Sequence, residues 1–223
     1  MRAELSVVIP TLNAETGLPG CLASLMEGVE AGLIRELVIS DGGSHDATLQ
    51  IADEVGAHLV AGPPSRGGQL RRGVAETHGD WVLVIHSDSI LPQGWSEAVM
   101  DQMQKAAPAY FRLRFDARGL AARWVASWAN LRARYLGLPY GDQGLLIARQ
   151  DYDAVGGYPD QPLMEDVALA RALGRRLQML PLTLTTSADK YQRDGWLRRG
   201  ARNLGLLTRY LLGADPDRLA RRY

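Results

Sequence analysis

The run WVLVIHSDSILP, residues 81–92, drives an apolar segment into His86, Ser87 and Asp88 and then a proline. Residues two apart on a strand point to the same side, so His86 and Asp88 face one target at the strand's carboxyl end. An imidazole beside a carboxylate can hold a divalent cation or the polar groups of a substrate. Two more apolar runs end in polar residues: Thr11, Asn13 and Glu15 follow LSVVIP, and Asp41 closes ELVIS. Each has an ordinary use, Asn13 in capping a helix, Asp41 in a turn, and Asp46 as an N-cap. Three polar strand ends in one half of a chain nevertheless form a pattern typical of binding sites. Further on, Glu165 and Asp166 in PLMEDV open a helical run. An acid pair there serves capping and complements the helix dipole.

The elements that must position these residues are legible as alternating periods. Residues 5–10, 36–40, 57–60 and 81–85 read as short buried strands. Between them Leu18, Leu22, Leu25, Met26 and Val29, then Leu49, Ala52 and Val55, then Leu70 and Val74 recur at helical spacing. Strand and helix alternating at this rhythm specify a parallel α/β sheet, in which ligands gather beyond the carboxyl ends of the strands. After residue 92 the grammar changes. YFRLRFD (110–116) alternates Phe111, Leu113 and Phe115 with Arg112 and Arg114, a half-exposed strand. Leu120, Trp124, Ser127, Trp128, Leu131 and Tyr135 form a stripe expected to pack a helix on the sheet. Residues 144–148 read as a strand, EDVALARAL as a helix, and 195–212 as a last helix with Trp196, Leu204, Leu207 and Leu211 inward.

Composition limits the partners. A chain of 223 residues, 46% hydrophobic and 22% charged, can bury one sizeable core, and one domain over residues 1–223 is expected. Zero formal net charge gives no field for nucleic acid, and none is expected as a partner. The balance hides an asymmetry. Residues 1–60 carry Arg2 and Arg35 against nine acids, whereas 190–223 carry nine Lys or Arg against Asp194, Asp215 and Asp217. Arg198, Arg199, Arg202 and Arg209 lie among leucines, so this helix can either pack its apolar face on the sheet or rest its basic side on an anionic membrane. Cys21, the single cysteine, sits on a leucine-rich helix face and reads as a small core residue. With no leader pattern and no long apolar run, the expected place is the cytoplasm, with peripheral contact at the inner membrane face.

Taken in order, LSVVIPTLNAE, VISDGGSHDAT, HGDWVLVIHSDSILP and GLLIARQDYDAVGGYPDQPLMEDVALARAL resemble the inverting family-2 glycosyltransferases of the GT-A fold, over residues 5 to about 175. LPYGDQG, PLMEDV, the lone HSD and the tail RLARRY also resemble a small bacterial branch labelled radical-SAM/selenodomain-associated or arsenosugar-biosynthesis glycosyltransferase. The resemblance implies a Rossmann-like, mostly parallel sheet flanked by helices. It implies a nucleotide-sugar-binding half at 1–92, an acceptor and catalytic half at 93–190, and a basic helical tail at 191–223.

It also implies roles. Pro10, Thr11, Asn13 and Glu15 would hold base and ribose, Asp41 would accept a hydrogen bond from the base, and Arg66, Gln69 and Arg71 would flank the nucleotide. The family's Asp-x-Asp motif becomes His86-Ser87-Asp88, leaving Asp88 for Mn²⁺ or Mg²⁺ and His86 and Ser87 for the nucleotide sugar. Asp166 matches the base that removes the acceptor proton, with Glu165 its neighbour, while Asp142, Gln143 and Arg193 would contact acceptor or donor sugar. The expected donor is a UDP-sugar, and the acceptor a small molecule or a lipid-linked one. Processive relatives carry Gln-x-x-Arg-Trp, and only KYQRDG stands here, so a single transfer is expected. Two alternatives remain on residues alone: a nucleotidyltransferase, disfavoured because a Gly-rich loop with a lysine is missing near the first strand, and a non-catalytic sugar-nucleotide-binding protein, disfavoured because it needs no base.

Overall fold

A computed structural model describes residues 3–221. The end of the RLARRY run, Arg222 and Tyr223, lies outside the described residues. Seven strands form one sheet: β1 (Leu5–Thr11), β2 (Ile34–Asp41), β3 (His58–Ala61), β4 (Trp81–Val84), β5 (Ala109–Phe115), β6 (Leu145–Ala148) and β7 (Gln178–Thr186), in the order β3-β2-β1-β4-β6-β5-β7. β1 pairs in parallel with β2 and β4, β2 with β3, and β5 with β7, whereas β6 runs antiparallel between β4 and β5. The carboxyl ends of β1, β2, β4, β5 and β7 therefore share one edge, and polar residues placed after those strands converge there.

Among the described residues there are ten α-helices: α1 (Leu18–Glu30), α2 (Thr48–Glu54), α3 (Arg66–Ala75), α4 (Trp95–Gln104), α5 (Leu120–Leu136), α6 (Arg149–Ala154), α7 (Glu165–Leu173), α8 (Asp189–Asp194), α9 (Trp196–Leu211) and α10 (Pro216–Ala220). The apolar periods explain the packing. β1 and β4 are buried along their length, as strands covered on both faces must be. Leu18, Cys21 and Leu25 of α1 join Trp95 and Val99 of α4 in one core layer, and Leu70 and Val74 of α3 join Leu169 and Leu173 of α7 in the other. Cys21 is a core residue as expected, its thiol pushed up to about 12, chiefly by burial.

The structure departs from the sequence pattern at three places. First, β7 is a strand that the pattern does not show. Pro181 interrupts its run, and a proline is tolerated because β7 is the edge strand, where one missing donor faces no neighbour. Second, the α5 stripe faces outward. Val125, Ala126 and Ala129 lie against Leu113 and Phe115 of β5, while Trp124 is 63% and Tyr135 72% exposed. Small residues let the helix approach the sheet closely, and the large ones were left outside. Third, α9 buries Leu206 and Leu207 but leaves Leu204 and Leu211 exposed, and its basic side is divided: Arg199 and Arg202 turn inward to Asp194, at 2.5 and 3.0 Å. Among the described residues no helix is long and apolar enough to cross a membrane.

Candidate active site

Beyond β4 the chain turns at His86-Ser87-Asp88 into a cavity of about 110 Å³. That is room for the reacting end of a ligand, well below the roughly 300 Å³ at which pockets for whole drug-sized ligands begin. His86, Asp88, Asp142 and Asp166 line it together with Arg66 and Lys190. Five segments bring these side chains together: the turn after β4, α3 with Arg66, α8 with Lys190, and two more. The 3-10 turn Gly141–Gln143 places Asp142, and α7 places Asp166 one residue after its start. The turn is held to β5 by Gln143, whose amide donates to the Phe111 carbonyl at 3.2 Å. Arg132 fixes it from the other side, donating to the Leu138 carbonyl at 2.9 Å, its guanidinium 3.3 Å above the Tyr140 ring.

Asp166 is anchored at both oxygens. The Gly141 N–H donates to Oδ2 at 2.7 Å and the Val167 N–H to Oδ1 at 2.7 Å. Met164, just before α7, has φ of 65°, a left-handed conformation rare for a residue with a side chain, and such strain clusters at functional sites. Gly141 must be glycine: a Cβ there would meet His86 Nε2 at 2.7 Å. Asp88 Oδ1 accepts a long, 3.4 Å bond from Thr186, and its other contacts are open to a ligand.

Burial shifts the acid–base groups here. The Asp142 carboxyl is raised to about 6, first by desolvation, with Arg132 opposing and Asp166 and Asp88 adding repulsion. Its Oδ1 is buried without a hydrogen bond. His86 is lowered, first by desolvation, Asp88 opposing and Arg66 and Lys190 adding to the fall, so the imidazole is neutral near pH 7. Both directions follow first from burial, which disfavours the charged form of each group, and the neighbouring charges only modify it.

The other expected residues separate into two groups. Thr11, Asn13, Glu15 and Asp41 do converge, but on one another. Asp41 is 1% exposed, and it accepts from the Thr11 hydroxyl, the Ser44 hydroxyl and the N–H groups of Gly43 and Ser44. Asn13 accepts from the His45 N–H and Glu15 from the Ala47 N–H, while Asp46 accepts from the Glu15 N–H in return. The loops after β1 and β2 are thereby zipped into a clamp, with Pro10 in register beside Ser40. Asn13 thus caps no helix, and Asp46 reaches the Thr48 N–H from a position one before the N-cap residue, Ala47.

Five residues fall away from the cavity. Gln69 donates to the Thr11 and Ser40 carbonyls and accepts from the Ser65 N–H, so its amide is committed to backbone. Gln143 is fully buried. Arg71 is exposed on α3, five residues from Arg66 and turned away from it. Arg193 is exposed beside Asp194. Glu165 is buried, and its Oε2 has no hydrogen bond. Adjacent helical residues point about 100° apart, so Asp166 in the cavity forces Glu165 into the interior. There its carboxyl is raised to about 8, first by desolvation and then by Asp166.

Tyr140, Gly141, Thr186, Ser187, Lys190, Tyr191, Arg199 and Asn203 line the cavity without having been singled out for it. Thr186 and Ser187 had a signal: LTLTT is a β-rich run, and they follow a strand parallel to β5, at the same carboxyl edge as Asp88. Tyr191 and Trp196 stack at 5.1 Å, and each meets Phe115 edge-on, which seats α8 and α9 over that edge.

A mostly parallel sheet with polar loops at one edge and an acid-lined cavity beyond the central strand is the architecture of GT-A glycosyltransferases. Residues 6–153 match the Glycosyl transferase family 2 model, and the chain belongs to that family. It is 30% identical over 195 residues, 80% of its length and 84% of the relative's, to an uncharacterised glycosyltransferase of Mycobacterium tuberculosis. It is 37% identical to glucosyl-3-phosphoglycerate synthase of M. tuberculosis over 97 residues, 40% of this chain and 30% of that one. The fold matches that synthase in complex with Mn²⁺, UDP and glucosyl-3-phosphoglycerate at TM-score 0.56 and 23% identity, over 82% of this chain and 70% of the other. It matches Staphylococcus aureus TarS 1–349 in complex with UDP at TM-score 0.61 and 19% identity, over 85% of this chain and 62% of TarS. The protein is a glycosyltransferase, which sets aside the nucleotidyltransferase and non-catalytic alternatives.

Proposed function

We propose that the enzyme is an inverting transferase that moves one sugar from a UDP-sugar to an acceptor hydroxyl, with Asp166 as general base. The observation that carries this reading is the Asp166 carboxylate, fixed by the Gly141 N–H in the same cavity as His86, Asp88 and Asp142. In the transfer, Asp166 takes the acceptor hydroxyl proton, the acceptor oxygen forms its bond to the anomeric carbon, and the bond from that carbon to the diphosphate breaks, its electron pair leaving with UDP. Arg66 and Lys190 supply positive charge for the diphosphate. Neutral His86 donates or accepts a hydrogen bond at the sugar end, and the half-buried Asp142 is placed for a sugar or acceptor hydroxyl. The nucleoside end lies along the clamp, against Pro10, Asn13 and Glu15, with Asp41 and Thr11 acting through the loop they hold. The narrower radical-SAM or arsenosugar branch rests on LPYGDQG, PLMEDV, the lone HSD and the tail RLARRY.

The residues fit a divalent metal bound together with the nucleotide. Among the described residues no three His, Cys, Asp or Glu side chains stand close enough to hold a metal alone, yet Asp88 offers one carboxylate to a cavity that already concentrates negative charge. Mg²⁺ and Mn²⁺ sites of this kind take one or two carboxylates, with phosphate oxygens and waters completing the shell. Such an ion, held by Asp88, would neutralise charge on the departing diphosphate.

A thermal-shift screen of nucleoside diphosphates tests the reading. UDP with Mn²⁺ is expected to raise Tm, Mn²⁺ alone to leave it unchanged, and Asp88→Asn to remove the metal-dependent part of the UDP shift. An equal UDP shift with and without Mn²⁺ in both proteins contradicts the role of Asp88.

A further inference from the structure

Among the described residues no element covers the outward stripe of α5. Trp124, Trp128, Leu131 and Tyr135 stand on it, and Leu197 and Leu204 continue the exposed apolar surface on α9, which packs beside α5. Leaving several large apolar side chains contiguous in water is unusual for a surface without a partner. The charges on the two helices themselves have one sign. α5 and α9 carry seven arginines and no aspartate or glutamate, and Arg123, Arg134, Arg198 and Arg209 are exposed. Tryptophan and tyrosine prefer the boundary between headgroups and acyl chains, and long arginine stems reach from apolar depth to phosphate. A second copy of the chain docked symmetrically would bring arginine-only helices together, which disfavours self-association.

A crevice between the two helices links this face to the catalytic cavity. Trp128 of α5 and Leu204 of α9 flank its outer part, and Tyr140, Asp142, Tyr191 and Asn203 line both the crevice and the cavity. A partner resting on α5 and α9 would thus sit over a route to Asp142.

We propose that the α5–α9 face docks on an anionic lipid bilayer. The centre of this surface is α5, which sequence periodicity had turned inward, and α9 adds its outer leucines and two of its four arginines. Docking at this place positions the enzyme to meet an amphiphilic acceptor at the bilayer surface, a consequence that rests on the transferase reading, whereas the docking itself does not.

Vesicle flotation of the full chain tests the proposal without reading transfer activity. The chain is expected to float with vesicles containing phosphatidylglycerol and to stay behind with phosphatidylcholine alone. Trp124→Ala with Tyr135→Ala, at two exposed positions, is expected to lower binding roughly tenfold or more, and Arg123→Gln with Arg134→Gln to weaken it by a similar factor that high salt reproduces in the parent. An unchanged far-ultraviolet circular dichroism spectrum and Tm in each variant ties the loss to the surface. Failure of the parent to float with anionic vesicles, or equal flotation of parent and variants, overturns the proposal. So does a concentration-dependent dimer in sedimentation that Trp124→Ala with Tyr135→Ala abolishes. UDP-induced thermal shifts measured on the same samples report separately on the transferase site.

Discussion

The clamp formed by the loops after β1 and β2 and the cavity beyond β4 are both built from polar residues at strand ends, yet their carboxylates behave in opposite ways. In the clamp, burial works to raise the Asp41 pKa, and the hydrogen bonds from Ser44, Thr11 and Gly43 outweigh it, so the carboxylate lies below its usual range. In and beside the cavity, Asp142 and Glu165 lie well above it, because desolvation and neighbouring acids outweigh Arg132 and Arg66. A polar group that the fold satisfies stabilises the fold. One that it leaves short of partners is stable only because something else is gained, and at an active site that gain is ligand binding.

The sharpest way to break this contrast is to remove the clamp's centre. Asp41→Ala leaves two hydroxyls and two N–H groups without their acceptor, and a loss of about 3 kcal/mol or more is expected. For a chain of this size that is a fall in Tm of roughly 6–12 °C. Unchanged Tm with abolished UDP binding would instead make Asp41 a direct reader of the base.

The pH dependence of folding gives the next effect, with a sign for each region. Glu165 keeps its proton in the folded chain up to about pH 8, whereas its ordinary value in the unfolded chain is 4.5. The folded state binds the extra proton in that window, so this contribution is complete below pH 4.5 and is lost as pH rises towards 8. Asp41 acts in the opposite sense, its contribution present above its ordinary value of 3.8 and lost as pH falls through the lower folded pKa. Glu165→Gln should therefore flatten the decline of urea-unfolding free energy between pH 4.5 and about 8 and leave the limb below 3.8 in place. A parental slope across pH 4.5 to about 8 in Glu165→Gln would contradict a protonated Glu165.

The smallest effect is expected at Arg193. Exposed and outside the cavity, it should change Tm by less than about 0.5 kcal/mol equivalent and leave transfer untouched when replaced by alanine. A large fall in acceptor affinity would return it to the site.

The sequence made the first half of the fold legible because β1, β2 and β4 are unbroken apolar runs separated by helical periods. It hid β7 behind Pro181, and with β7 went Thr186, Ser187 and the start of α8 with Lys190. It misled at α5, where aromatic size suggested a core face although the alanines were the packing residues. At the site, the strand-end pattern marked His86 and Asp88 and the family resemblance added Asp142 and Asp166, and the four line one cavity. Sequence alone could not separate them from Gln69, Gln143 and Glu165, because a side chain committed to the backbone or the interior has the same sequence signature as one aimed at a ligand. Spatial convergence, together with the count of hydrogen bonds already made, distinguishes the two.

The division between scaffold and chemistry is tested most directly at Asp166, by measuring transfer from a UDP-sugar in Asp166→Asn alongside its UDP affinity. Asparagine keeps the size and the contact with the Gly141 N–H but cannot take a proton. Transfer is expected to fall by roughly 10²–10⁴-fold while the affinity for UDP with Mn²⁺ stays within about twofold of the parent. Transfer at the parental rate would show that the acceptor proton leaves by another route and that the cavity's best-held carboxylate is part of the scaffold.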